Sequence, residues 1–146
     1  MQDKLFDLRY ILCIMSYEVR VAADFAAAHF LKDYNGKCEN LHGHNYKVYA
    51  HVRGERLNEG GMLVDFSKLK KALRSVCDEL DHKNLNDMAI FEQNPSAERI
   101  AQYIFNKILE EFRAKREDLS KNEKGNPYLF AVDVFETETS RARYSV

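Results

Sequence analysis

The sequence predicts one α+β domain of order strand, strand, helix, helix, strand, strand, and three observations carry that prediction. Two alternating runs flank the loop "LKDYNGKCEN", two later stretches carry apolar stripes of helical period, and the chain closes on the runs "YLFAVDVFETET" and "RARYSV".

The first run starts at Tyr17. Val19, Val21, Ala23, Phe25, Ala27 and His29 share its parity, while Glu18, Arg20 and Asp24 take the other, the signature of a half-buried strand. The second run places His42, His44, Tyr46, Val48, Ala50 and Val52 on one face and Asn45, Lys47, His51 and Arg53 on the other, ending near "RGERLNEGG". His51 reads from this as a solvated or sheet-surface histidine. Asp65 or Ser67 can cap a helix bearing Leu69, Ala72, Leu73, Val76, Cys77 and Leu80 at helical spacing. A second helix follows "NPSAE", with Ala97, Ile100, Ala101, Ile104, Phe105, Ile108, Leu109 and Phe112 in one stripe. Each helix has a single apolar face and must lie on a sheet. The polar stretch "RAKREDLSKNEKGNP" is a loop, and in the strand after it Phe130, Val132, Val134 and Glu136 share a parity.

Composition narrows the function. With 45% hydrophobic residues, the 146-residue chain can bury a core of its own. Its 22 basic and 23 acidic residues lack the positive excess that a phosphate backbone requires, so nucleic acid is not the expected partner. No apolar run approaches a membrane span. Cys13, Cys38 and Cys77 are widely spaced and form no C-x-x-C pair, which favours a reducing cytoplasm over a disulfide framework. Because "MSYEVRV" reads as a natural start, residues 1–14 are expected to be an extension outside the fold and residues 15–146 the domain.

The chemistry concentrates around "KCENLHGHNY". If the first two strands pair as an antiparallel hairpin, His29 ends one and His42 begins the other, and His29, His42 and His44 gather on one face at its mouth. Three imidazoles without a fourth protein ligand suit a catalytic zinc, which keeps a position open for water or substrate. An H-x-H pair alone is weak evidence; His29 across the hairpin strengthens it. Cys38, in the intervening loop, can act at the open side, close a structural site as fourth ligand, or be a plain loop thiol. Cys77, on an apolar stripe, reads as core. Asp81 beside His82 in "ELDHKNLND" pairs an acid with an imidazole suited to proton transfer, although the same stretch also reads as a helix-ending turn. Glu136 continues an apolar row and so requires a partner; Glu138 shares its parity, and spacing does not choose between them.

Taken in order, "DFAAAHFL", "CENLHGHNY", "GGMLVDFSKLK", "LDHKNLND", "NPSAERIA" and "FETET" resemble the 6-pyruvoyltetrahydropterin synthase and 6-carboxytetrahydropterin synthase family, from about Tyr17 to Tyr144. The resemblance implies a tunnelling fold: an antiparallel four-stranded sheet with two helices on one face, joined into an oligomeric barrel, commonly a hexamer of two trimers. It implies zinc on His29, His42 and His44, Cys38 as catalytic acid/base, Asp81 and His82 as a second proton-transfer pair from a neighbouring subunit, and Glu136 anchoring the pterin ring. The implied substrate is 7,8-dihydroneopterin triphosphate. Three residues separate Cys38 from His42, as in the bacterial 6-carboxytetrahydropterin synthases of the queuosine pathway; a longer spacing is typical of the animal pyruvoyl enzymes. A 6-pyruvoyltetrahydropterin synthase is the runner-up, and a non-catalytic pterin-binding module with structural zinc is the alternative from another class. The tail "RARYSV" lacks the glycine usual after the family's tyrosine.

Overall fold

The computed structural model describes residues 16–120 and 123–146; the expected extension of residues 1–14, with Cys13, lies outside them. Strands β1 (Tyr17–His29), β2 (His42–Gly54), β3 (Tyr128–Thr137) and β4 (Ser140–Ser145) form an antiparallel sheet in the order β1-β2-β3-β4. Helices α1 (Phe66–Leu80) and α2 (Ala97–Ala114) connect β2 to β3, and the predicted ββααββ order holds.

Both helices start where their side chains permit. The Asp65 carboxylate accepts from the Ser67 N–H at 2.7 Å and the Ser96 hydroxyl from the Arg99 N–H at 3.3 Å, each satisfying a donor that has no partner within its helix. The six apolar positions read for α1 are all buried, as are those read for α2 except Ala97, which is half-buried at the first turn. α1 lies over β1, and α2 over β3 and β4. Between sheet and helices, Val21 and Phe25 of β1 and Tyr46, Val48, Ala50 and Val52 of β2 meet Leu69, Leu73, Ile100 and Ile104 in one core. Cys77 is part of it, and burial pushes its thiol up to about 12, so it is an inert packing residue.

One reading of parity and one of exposure need correction. The β2–β3 register shifts between His51 and Val52, so Leu129, not Phe130, shares the core face with Val132 and Val134. Phe130 turns to the other face, where the Arg53 guanidinium sits 3.4 Å from its ring centroid. An inserted residue reverses alternation on one side of it, which alternation alone cannot reveal.

His51 is a sheet-surface histidine, as its parity predicts, but not a solvated one. It is 5% exposed on the face away from the helices, with Nδ1 2.9 Å from Glu18 Oε1 and Nε2 2.8 Å from Asp133 Oδ2. Asp133 also accepts from Arg143 Nε and Nη2, both at 2.8 Å, while Arg53 Nε donates to Glu18 at 2.6 Å. The sheet's second face is thus crossed by a chain of ion pairs from β1 to β4. Burial would raise the Asp133 pKa, but hydrogen bonds from Arg143 and His51 outweigh it and hold the carboxyl below its ordinary value.

Candidate metal centre and substrate groove

The β1–β2 register sets His29 directly opposite His42, and His44 follows two positions along the same face. Ring centroids lie 4.6 Å apart for His29 and His42, 5.1 Å for His29 and His44, and 4.9 Å for His42 and His44. One nitrogen from each falls within 4.8 Å of the others.

Hydrogen bonding fixes what two of these nitrogens can do. His29 Nδ1 is 2.9 Å from the Pro95 carbonyl, and His42 Nδ1 is 2.7 Å from the Asn40 carbonyl. A carbonyl only accepts, so both Nδ1 atoms carry the proton and both Nε2 atoms present a lone pair. Those Nε2 atoms are 3.1 Å apart. Without a further proton they cannot bond to each other, and His44 Nε2 is buried with no partner. Burial, aided by the neighbouring imidazoles and only partly opposed by Glu136, holds His44 below its ordinary pKa and keeps it neutral. Two lone pairs and the unpartnered His44 Nε2 are thus gathered in one cluster, an arrangement that suits a cation. Zinc bound at about 2.0–2.1 Å in tetrahedral geometry spaces its nitrogens roughly 3.3 Å apart, close to the 3.1 Å between His29 and His42.

The floor of the site is Tyr46. It is 0% exposed, stacks on Phe25 at 4.7 Å, and presents its ring to the edges of His44 and His29 at 5.4 and 5.9 Å. This packing limits the directions in which the two imidazoles can turn.

Cys38 lies in the short turn Lys37–Glu39, half-buried, its carbonyl accepting from the Leu31 N–H at 2.8 Å. It is outside the cluster formed by the three histidines. Glu136 Oε1 lies 3.7 Å from His29 Nε2, at the end of the apolar row of β3. Glu138, by contrast, is exposed in the β3–β4 turn. Structure thus separates two carboxylates that spacing could not. Both border an open groove of about 550 Å³ whose walls include His44, Lys47, Tyr49 and Phe135.

Asp81 and His82 form the expected pair, with His82 Nδ1 2.7 Å from Asp81 Oδ2. Asp81 ends α1 and also accepts from the Ala26 N–H at 2.8 Å. That backbone bond, the largest cause, and the bond to His82 hold its carboxyl below the usual range. His82 is left-handed, at φ 55°, with its side chain 83% exposed, and lines a cleft with Ala26, Gly43, His44 and Asn45. The pair is outside the histidine cluster of its own chain. The turn reading holds, and the acid and the imidazole are in hydrogen-bond contact. What sequence reasoning missed is the support: Pro95 and Asn40 act through backbone carbonyls, which no side-chain pattern announces.

Comparison with known proteins agrees with this geometry. The sequence profile of the 6-pyruvoyl tetrahydropterin synthase family matches residues 18–146. The chain is 42% identical over 125 residues to a 6-carboxy-5,6,7,8-tetrahydropterin synthase of Synechocystis sp., covering 82% of this chain and 86% of that one. It is 33% identical over 135 residues to the Bacillus subtilis protein of that name, covering 88% and 85%. Among solved structures, a 6-pyruvoyl tetrahydropterin synthase of Caenorhabditis elegans superposes with a TM-score of 0.73 at 29% identity, covering 90% and 96%.

Proposed function

The chain belongs to the 6-pyruvoyl tetrahydropterin synthase family, and we propose that within it the protein is a zinc-dependent 6-carboxy-5,6,7,8-tetrahydropterin synthase. It converts 7,8-dihydroneopterin triphosphate, with water, to 6-carboxytetrahydropterin, acetaldehyde and triphosphate, a lyase step that serves queuosine and 7-deazapurine synthesis. The observation that carries the reading is the open three-nitrogen site beside a groove bearing Glu136. Support for the carboxy product comes from the three-residue spacing of Cys38 and His42 and from the names of the Synechocystis and Bacillus relatives.

His29, His42 and His44 would hold a zinc ion, which would supply Lewis acidity toward a substrate oxygen. Glu136 accepts from the paired N–H groups of the pterin edge and orients the ring, as a carboxylate does for any forked donor. Cys38, in the turn between β1 and β2, is the base that removes a proton from the side-chain carbon. His82, oriented by Asp81, moves protons on the opposite face. That pair comes from a neighbouring copy in a homo-oligomer, which we take to be a hexamer of two trimers; the exposure of His82 supports this. Among the described residues no helix is long and apolar enough to cross a membrane, and the unpaired Cys38 and Cys77 favour a cytoplasmic protein.

Incubation of zinc-loaded protein with 7,8-dihydroneopterin triphosphate tests the assignment. Acetaldehyde together with 6-carboxytetrahydropterin supports it. A 6-pyruvoyl product without acetaldehyde moves the protein to the second activity, which the Caenorhabditis elegans structure's name represents. Binding without turnover leaves only a pterin-binding module.

Glu136→Gln is expected to lower kcat/KM roughly 10–100-fold, the size of a lost charged hydrogen bond, with metal content unchanged. Glu138→Gln should leave both unchanged. Steady-state kinetics on the two variants check this.

A further inference from the structure

We propose that Asn86 is a positioning residue for both the metal ligand His29 and the base Cys38, a reading that rests on the metal centre described above. Asn86 is 2% exposed, and its side chain makes three hydrogen bonds, all to backbone. Its Oδ1 accepts from the Phe30 N–H at 2.9 Å, while Nδ2 donates to the Phe30 carbonyl at 2.9 Å and to the Gln93 carbonyl at 3.0 Å. It therefore grips Phe30 as an added strand residue would and ties it to the segment that leads into Pro95.

The position of that grip is what gives it a function. Phe30 follows His29, whose Nδ1–H is held by the Pro95 carbonyl at 2.9 Å. It precedes Leu31, whose N–H is donated to the Cys38 carbonyl at 2.8 Å. Asn86, Phe30, His29, Pro95, Asn94 and Gln93 close a ring of covalent and hydrogen-bonded links that includes one imidazole. Opening this ring at Asn86 lets the strand end and the Pro95 carbonyl move apart. The Pro95 bond that fixes the His29 tautomer is then no longer held at length, and the turn carrying Cys38 loses its reference to β1. Supporting hydrogen bonds of this type set ligand orientation and metal affinity.

Asn86→Asp keeps the acceptor for Phe30 and removes both N–H donors. The test measures affinity for zinc by chelator competition, and the visible absorption of the cobalt(II)-loaded protein, in wild type, Asn86→Asp and Val76→Ala. The last is a core truncation in α1 that serves as a destabilised control. A 10–100-fold loss of zinc affinity with a shifted cobalt spectrum in Asn86→Asp, and neither in Val76→Ala, is expected. Affinity within twofold of wild type, or an equal loss in Val76→Ala, overturns the proposal. Should Asn86→Asp fail to fold, Asn86→Ser, which puts no carboxylate among carbonyls, carries the same reading. Failure of both to fold also counts against it, because a residue that only positions the site leaves the core able to form. Wild-type protein that binds no metal refutes the metal centre as well, whereas equal binding by wild type and variant refutes this inference alone.

Discussion

His29→Ala is expected to abolish metal binding and turnover together while leaving the metal-free fold intact. His29 is the most buried of the three histidines and the one whose Nδ1–H is tied to a distant segment, at Pro95. Its loss takes away one of the three nitrogens, and the cost exceeds the roughly 10–100-fold change that follows from losing a supporting hydrogen bond. The metal-free fold should suffer less, because there the 3.1 Å approach of two unprotonated Nε2 atoms is repulsive and the substitution relieves it. Thermal unfolding separates these effects. Wild type should gain about 4 kcal/mol at a zinc concentration near 1,000 times its Kd. The variant should show no zinc-dependent shift, and a matching shift in both would place the metal elsewhere.

Asp133→Ala is expected to be the most destabilising of the substitutions considered, by about 3–5 kcal/mol, or roughly 10–15 °C in Tm, because it strands His51 and Arg143 without their shared carboxylate. The direction of its pH dependence follows from the lowered Asp133 pKa. A carboxyl whose pKa is depressed on folding contributes stability that is present above its unfolded value, near 3.8, and lost as pH falls through the folded value. The gap between wild type and variant should therefore be widest at neutral pH and narrow below about pH 4. Denaturant melts at pH 7 and pH 3 measure it. A gap that widens in acid would contradict the ion-pair account.

Those two residues also mark where the sequence is legible. The histidine triad could be read in advance because strand alternation and a hairpin suffice to bring His29, His42 and His44 to one face. Both helices could be read because each has a single buried stripe. The network through Asp133 could not, since alternation assigns a face but not what occupies it, and an aspartate within "YLFAVDVF" gives no hint that His51 of β2 and Arg143 of β4 meet it. Phe130 was misplaced because a bulge adds one residue without altering composition. Glu136 and Glu138 became distinguishable only once the β3–β4 turn took Glu138.

The central claim is a three-histidine zinc centre with Cys38 working beside the metal and not on it. Zinc content and turnover of Cys38→Ala, measured on the same preparation, test it most directly. The account predicts about one zinc per chain, as in wild type, with turnover reduced roughly 10²–10⁴-fold, the range for loss of a general base. Zinc lost in parallel with activity would make the cysteine a fourth ligand and contradict the account.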